Sequence, residues 1–277
     1  MVSARHLTPR CEPLIGVRFM KFNIITIFPN FFESFKSEAL ISRAIKNKII
    51  SINTHNLRDF SGDERGTVDD RPYGGGAGML LKIEPIFRAV ESLKVKKFKS
   101  SKLETKNLKL KTRTILLSAK GKTFTQKDAR RLAKYDQIIF ICGRYEGVDE
   151  RVAKYVADEE ISIGNYILFG GEVPAMVVIE AVSRLIPGVV AKEESVKDES
   201  FSKWQMENGK WKTNREYPQY TRPEIFRARL AQRGGETGRS KVWRVPKVLL
   251  SGNHKKIKEW REKQSQFAGV DIESIKE

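Results

Sequence analysis

The sequence predicts an α/β fold built on a mostly parallel sheet, followed by a small, basic, helical C-terminal domain. Three observations carry this. Residues 21–57 run strand-like, then helical in period, then strand-like again; apolar runs end on glycine at Gly121, Gly143 and Gly164; and after Pro187 amphipathic order gives way to polar, lysine-bearing chain. At 277 residues and 40% hydrophobic content the chain can fill one large core and a smaller one.

Residues 1–20 have no periodicity and read as a leader, expected to be disordered, to which no function is given. "KFNIITIF" is a buried strand, "FFESFKSEALISRAIKN" has apolar residues at helical spacing, and "IISINTHNL" returns to strand chemistry. A glycine-rich loop follows at Asp69–Gly78, then a helix near Glu84–Leu93, then a lysine-rich insertion over residues 93–113 that reads as surface loop. "TRTILLSA", "QIIFICG", "EEISI" and "YILF" are further strands, with helices near Thr125–Ala133 and Asp149–Tyr155 between them. "PAMVVIEAVSRLI" closes the unit as a helix, Pro174 being suited to its first turn. Residues 21–190 thus form the large domain and 191–221, polar and carrying Trp204 and Trp211, an interdomain linker. Residues 222–277 form the basic domain, with "RPEIFRARLAQ" and "HKKIKEWREKQ" as its helices.

The charge of +18, from 52 basic and 34 acidic residues, concentrates near residues 93–113 and 222–261. Counterion release makes such clusters effective on phosphate backbones, so a polyanion is the expected partner. The two cysteines, Cys11 and Cys142, support neither a disulfide framework nor a cysteine zinc site. No apolar stretch approaches the roughly 20 residues that cross a bilayer, so no membrane is expected and the cytoplasm is the expected location.

Two familiar phosphate motifs are absent. "SAKGKTF" ends like a P-loop, but position 116 is leucine where the earlier glycine is required; "YGGGAG" is followed by Met79 and is not fed by a strand, which excludes the dinucleotide fingerprint. What "DDRPYGGGAGM" offers is backbone that can approach a ligand closely, with Arg71 for charge and Tyr73 for stacking. "ICGRYEGVDERV" puts Gly143 at a strand end, where open α/β sheets bind ligands, with Arg144, Tyr145 and Glu146 after it. With "LLSAKG" and "SIGNYILFGG", three glycine-punctuated strand ends follow in order and converge on one pocket.

These stretches, with "FNIITIFPNFF", "TVDDRPYGGGAGM", "SIGNYILFGGEVPAM", "RLIPGVV", "EYPQYTRPE" and "VPKVLLSGNHKKIKEW", resemble the bacterial tRNA (guanine-N1)-methyltransferases, members of the trefoil-knot (SPOUT) superfamily. The resemblance runs from Lys21 to about Arg261. It implies a knot whose strand-end loops hold S-adenosylmethionine chiefly through backbone groups. The implied contacts are Leu117, Ser118 and Gly121; Gly143, Tyr145 and Glu146; then Ile163, Gly164, Asn165, Tyr166, Ile167 and Leu168, with Gly170, Gly171 and Pro174. The family's "SPQG" and "IGDY" are "SAKG" and "IGNY" here, which leaves the contacts at Ala119, Lys120 and Asn165 open.

The implied reaction is methyl transfer to N1 of guanosine 37 in tRNA. The family uses an arginine and an aspartate for it. The arginine matches Arg184; the aspartate falls on Glu199, with Asp198 directly before it as the alternative base. Asp70, Arg71, Pro72, Tyr73, Gly74 and Gly75 are the candidates to receive the target base, while Arg222, Lys255, Lys256, Lys258 and Arg261 suit the phosphates of the anticodon stem-loop. The resemblance also implies Mg2+ near Glu146 and a homodimer, with tRNA rather than DNA as the nucleic-acid partner. Two alternatives stand beside this reading: an RNA-binding homologue that has lost its base, and a knotted methyltransferase acting on another RNA. Donor binding without transfer would mark the first; "DDRPYGGGAGM" and "EYPQYTRPE" speak against the second. "RARLAQRGGETGRSKVW" is longer than the family's usual connection and reads as an exposed loop.

Overall fold

Strand β1 (Met20–Thr26) is flanked in parallel by β2 (Ile50–Asn56) and β6 (Gln137–Cys142). These assignments come from a computed structural model, which describes residues 19–94, 110–190, 199–202, 204–207, 210–229, 240–265 and 267–269. Residues 1–18 of the leader, 95–109 of the lysine-rich insertion, Asp198 and 230–239 of the later insertion lie outside the described residues. The described chain falls into two compact units divided between Glu193 and Glu194.

In the first unit β5 (Thr112–Thr123) and β7 (Glu159–Ser162) complete a five-stranded sheet of order β2-β1-β6-β5-β7, parallel throughout. All six residues of β6 are buried, as a strand covered on both faces requires. Its period of two divides them between two cores. Ile138 and Phe140 face one side, with Phe22 and Leu117, against α6 (Glu172–Ser183), α4 (Gln126–Leu132) and α2 (Ala39–Lys46). Ile139 and Ile141 face the other, with Ile25 and Leu116, against α3 (Ile83–Lys94) and α5 (Glu150–Tyr155). Burying each large apolar side chain contributes about 1.5–3 kcal/mol.

Local chemistry sets the helix starts. Thr125 and Asp128 form a reciprocal capping box at α4, and Asp149 caps α5 by accepting from the Arg151 N–H.

The structure corrects several sequence expectations. The helical run at 31–47 is not one helix: a 3-10 turn at Pro29–Phe32 leads into α1 (Glu33–Ser37), the chain becomes extended at Glu38, and α2 starts afresh. The break lets both Phe32 and the Ile41/Ala44 stripe reach one core. "YILF" is not a strand. It is an irregular loop with Ile167 and Phe169 largely exposed, and no strand among the described residues pairs with it.

The second unit is mixed rather than only helical. Within the stretch read as linker, β8 (Trp204–Glu207) and β9 (Lys210–Asn214) pair antiparallel, and β12 (Phe267–Gly269) joins β9. "RPEIFRARLAQ", read as helix, contains β10 (Ile225–Arg229), paired with β11 (Ser240–Arg244). The alternation of Ile225, Arg227 and Arg229 with Phe226 and Ala228 serves a strand, and the Phe226 and Trp243 rings pair across it at 5.5 Å. The helix His254–Gln264 spans the expected residues, capped by Asn253, with Trp260 beside Tyr220 and Arg261 over the Tyr217 ring.

Candidate functional site

Because β5, β6 and β7 are parallel, their C-terminal ends point the same way, and residues 117–120 within β5 meet the loops that follow β6 and β7 in a cleft of about 340 Å³. This is where open parallel sheets place their ligands. One wall is Leu117, Ser118, Ala119 and Lys120; the second is Gly143, Arg144, Tyr145, Glu146 and Val148; the third runs from Ile163 and Gly164 through Tyr166, Ile167, Leu168, Phe169, Gly170 and Gly171 to Pro174. Of the residues that the sequence nominated for the methyl donor, all but Gly121 and Asn165 line the cleft.

Gly121 has a different task. Leu117 and Lys122 both pair with Ile161, so residues 118–121 make an excursion and return to the same partner on β7. A β-carbon on Gly121 would lie 2.6 Å from the Glu160 carbonyl carbon and the Ile161 nitrogen, so only glycine lets the two segments close. Tyr145 adopts φ 60°, a conformation rare for a side-chain-bearing residue and one that collects at functional sites.

Charge is unevenly placed around the cleft. Glu172, completely buried, accepts hydrogen bonds from the Thr26 hydroxyl at 2.6 Å and from Arg144 Nε at 2.8 Å. Burial, reinforced by the nearby Glu172 carboxylate and opposed by Arg144, pushes the Cys142 thiol well above its usual pKa, so it stays neutral beneath the cleft. Lys120 Nζ meets Glu150 at 2.6 Å near the mouth, and that hydrogen bond raises the lysine pKa.

Glu160 was missed by the sequence reading. It lines the cleft, and its Oε1 is enclosed with no hydrogen-bond partner among the described residues. The signal was the pair in "EEISI": strand alternation turns Glu160 to the face opposite Glu159, which is held by Arg113 and Arg131. The cleft-lining carboxylates, Glu160 above all, suit a cationic ligand.

The glycine-rich loop joins the second wall. The Glu146 N–H donates to the Met79 carbonyl at 3.1 Å, and β4 (Leu80–Leu81), paired with β3 (Asp69–Asp70), exchanges backbone bonds with Gly147 and Asp149. Tyr73 at the loop tip is fully exposed, and Arg71, Pro72, Gly74 and Gly75 surround it beyond Asp70, whose carboxylate accepts from the Arg71 N–H. Arg184 caps the C-terminus of α6 and is exposed. Glu199 lies in the second unit, where its carbonyl accepts from Asn214 Nδ2 and the Ser202 N–H. Neither is a lining residue of the cleft. No helix among the described residues is long and apolar enough to cross a membrane.

Comparison with known proteins gives a consistent result. The family profile described as "tRNA (Guanine-1)-methyltransferase TrmD" matches residues 20–270. A tRNA (guanine-N(1)-)-methyltransferase of Carboxydothermus hydrogenoformans is 46% identical over 246 residues, covering 89% of this chain and 83% of the relative. Its counterpart in Sulfurihydrogenibium is 47% identical over 242 residues, covering 87% and 81%. The crystal structure of the tRNA (m1G37) methyltransferase of Aquifex aeolicus superposes with TM-score 0.62 at 36% identity, covering 87% of each chain.

Proposed function

The chain belongs to the tRNA (guanine-1)-methyltransferase family and has its knotted α/β fold, and from this premise we infer that it methylates N1 of guanosine 37 in tRNA. The observation that carries the reading is the cleft where residues 117–120 of β5 meet the glycine-bearing loops after β6 and β7.

The donor we propose is S-adenosylmethionine, which supplies a methyl group made electrophilic by its sulfonium. The fit is supported by the Glu160 oxygen, which has no hydrogen-bond partner among the described residues and is a match for a cation. Backbone groups of Ser118, of Gly143 and of residues Ile163 to Leu168 then hold and orient the donor, and the surrounding walls limit water.

N1 of guanosine carries a proton and cannot attack until it is lost. In the proposed step that proton passes to the Glu199 carboxylate, the freed lone pair forms the N1–C bond, and the C–S bond breaks. Arg184 is proposed to stabilise the negative charge that gathers on O6 as the proton leaves. Asp198 remains the alternative base.

The loop of Asp70, Arg71, Pro72, Tyr73, Gly74 and Gly75 is proposed to receive the target base, a role its exposed ring suits. Exposed Arg222, Lys255, Lys256, Lys258 and Arg261 provide the phosphate grip. We also propose a homodimer in the cytoplasm: Phe169 is 94% and Ile167 83% exposed, and Phe28, Phe31, Val173 and Val177 are also exposed, an apolar set that suits a second copy. For Mg2+ the described residues hold no group of three or more His, Cys, Asp or Glu that would cage it. It is proposed only as an ion carried by water and substrate beside Glu146, and no step depends on it.

The test is mass analysis of nucleosides after incubation with S-adenosylmethionine and tRNA transcripts with or without guanosine 37. The reading predicts 1-methylguanosine only in the first transcript. Donor binding with no methylated product would instead favour an RNA-binding homologue that lacks transfer.

A further inference from the structure

A buried ion pair is a poor stabiliser, because taking two charges out of water costs about as much as their attraction returns. The placement of Arg144 and Glu172 therefore asks for another reason. Arg144 follows Gly143 in the second wall of the cleft, and Glu172 follows Gly171 in the third. Between them the Gly171 N–H donates to the Gly143 carbonyl at 3.0 Å, so the ion pair extends a seam that joins the two walls.

Each partner grips more than the other. Glu172 also holds Thr26 at the end of β1, and as the first residue of α6 its negative charge complements the helix dipole. Arg144 Nη1 donates to the Phe169 carbonyl at 3.4 Å, and the guanidinium lies 4.8 Å over the Phe28 ring and 5.8 Å from that of Phe31. Gly170 fits between them because a β-carbon there would collide with both the Arg144 guanidinium and the Glu172 carboxylate. One pair thus fixes the ends of β1 and β6, the loop 163–171 and the start of α6.

We propose that Arg144 and Glu172 are a positioning pair that sets the spacing of the two walls, and with it the affinity for the methyl donor. This rests on reading the cleft as the donor site. The pair acts through the backbone it holds, at Gly143, Phe169 and Gly171. Lysine cannot replace the arginine, since a point charge does not span the Glu172 carboxylate and the Phe169 carbonyl together.

Two variants of the full chain test this, Glu172→Gln and Arg144→Lys, each assayed for S-adenosylmethionine binding by calorimetry, for melting without ligand, and for KM and kcat on tRNA. Glutamine keeps the shape and the Thr26 bond but turns an amide toward the guanidinium. The proposal predicts a dissociation constant and donor KM raised about tenfold or more, equivalent to about 1.4 kcal/mol of lost binding. It also predicts a smaller change in kcat and an unchanged KM for tRNA. A merely structural pair would lower melting and kcat, through a smaller folded fraction, at fixed donor KM; that result overturns the proposal, as does unchanged donor affinity. If Glu172→Gln does not fold, Arg144→Lys decides alone by the same criteria. A parent chain that gives no binding signal overturns the cofactor reading and the pair's role with it; a parent that binds, with variants that bind equally, overturns only the pair's role.

Discussion

A β-carbon on Gly171 would lie 2.7 Å from the Cys142 Cα and 3.1 Å from its Cβ, so the third wall of the cleft rests directly on the end of β6. Nothing larger than hydrogen fits there unless one segment moves. Gly171→Ala is therefore expected to destabilise the first unit by about 1–3 kcal/mol, as overpacking does. It should also weaken binding of S-adenosylmethionine about tenfold or more, equivalent to about 1.4 kcal/mol. Thermal melting and calorimetry check the two effects separately.

Tyr73 touches no core, being fully exposed. Tyr73→Ala should leave melting and donor affinity unchanged while lowering kcat/KM for tRNA. Loss of one base stack is worth about 1–3 kcal/mol, roughly 5-fold to 150-fold. Steady-state kinetics with tRNA varied at saturating donor reads this; unchanged kcat/KM would remove the loop from base recognition.

The base assignment is settled by single-turnover rates. Glu199→Gln should slow methyl transfer by about 10²–10⁴-fold, the usual contribution of a positioned base, while Asp198→Asn leaves it near the parent. The reverse pattern moves the role to Asp198.

Cys142 is fully enclosed and its thiol is held neutral, first by burial and then by the Glu172 carboxylate. Only the thiolate alkylates readily. Mass mapping should find Cys142 unmodified by iodoacetamide at neutral pH in the native protein and modified once it is unfolded in urea.

The sheet was legible because β1 and β6 are apolar runs of strand length that divide between two cores, and β2 alternates Ile50 and Ile52 with polar residues. The helix His254–Gln264 was legible from its polar capping residue and its charge. The cleft was legible from glycines at strand ends. What sequence hid depends on pairing partners: β10 is strand because it pairs with β11, and no strand among the described residues pairs with "YILF". The meaning of single glycines was hidden for the same reason. Gly121 and Gly171 were read as contacts of the donor; Gly121 does not line the cleft, Gly171 does, and at each the missing side chain also lets the protein close on itself, against Glu160 and Cys142. Glu172 reads as an ordinary acidic helix start until Thr26, 146 residues away, is found on its carboxylate.

The most direct test of the central claim is an experimentally determined structure of the chain with S-adenosylmethionine at saturating concentration. The account predicts density for the donor between Ser118, Gly143 and the loop Ile163–Gly171, with a cationic group facing Glu160. Density for the donor at any other place, or an empty cleft in a preparation that methylates guanosine 37, would contradict it.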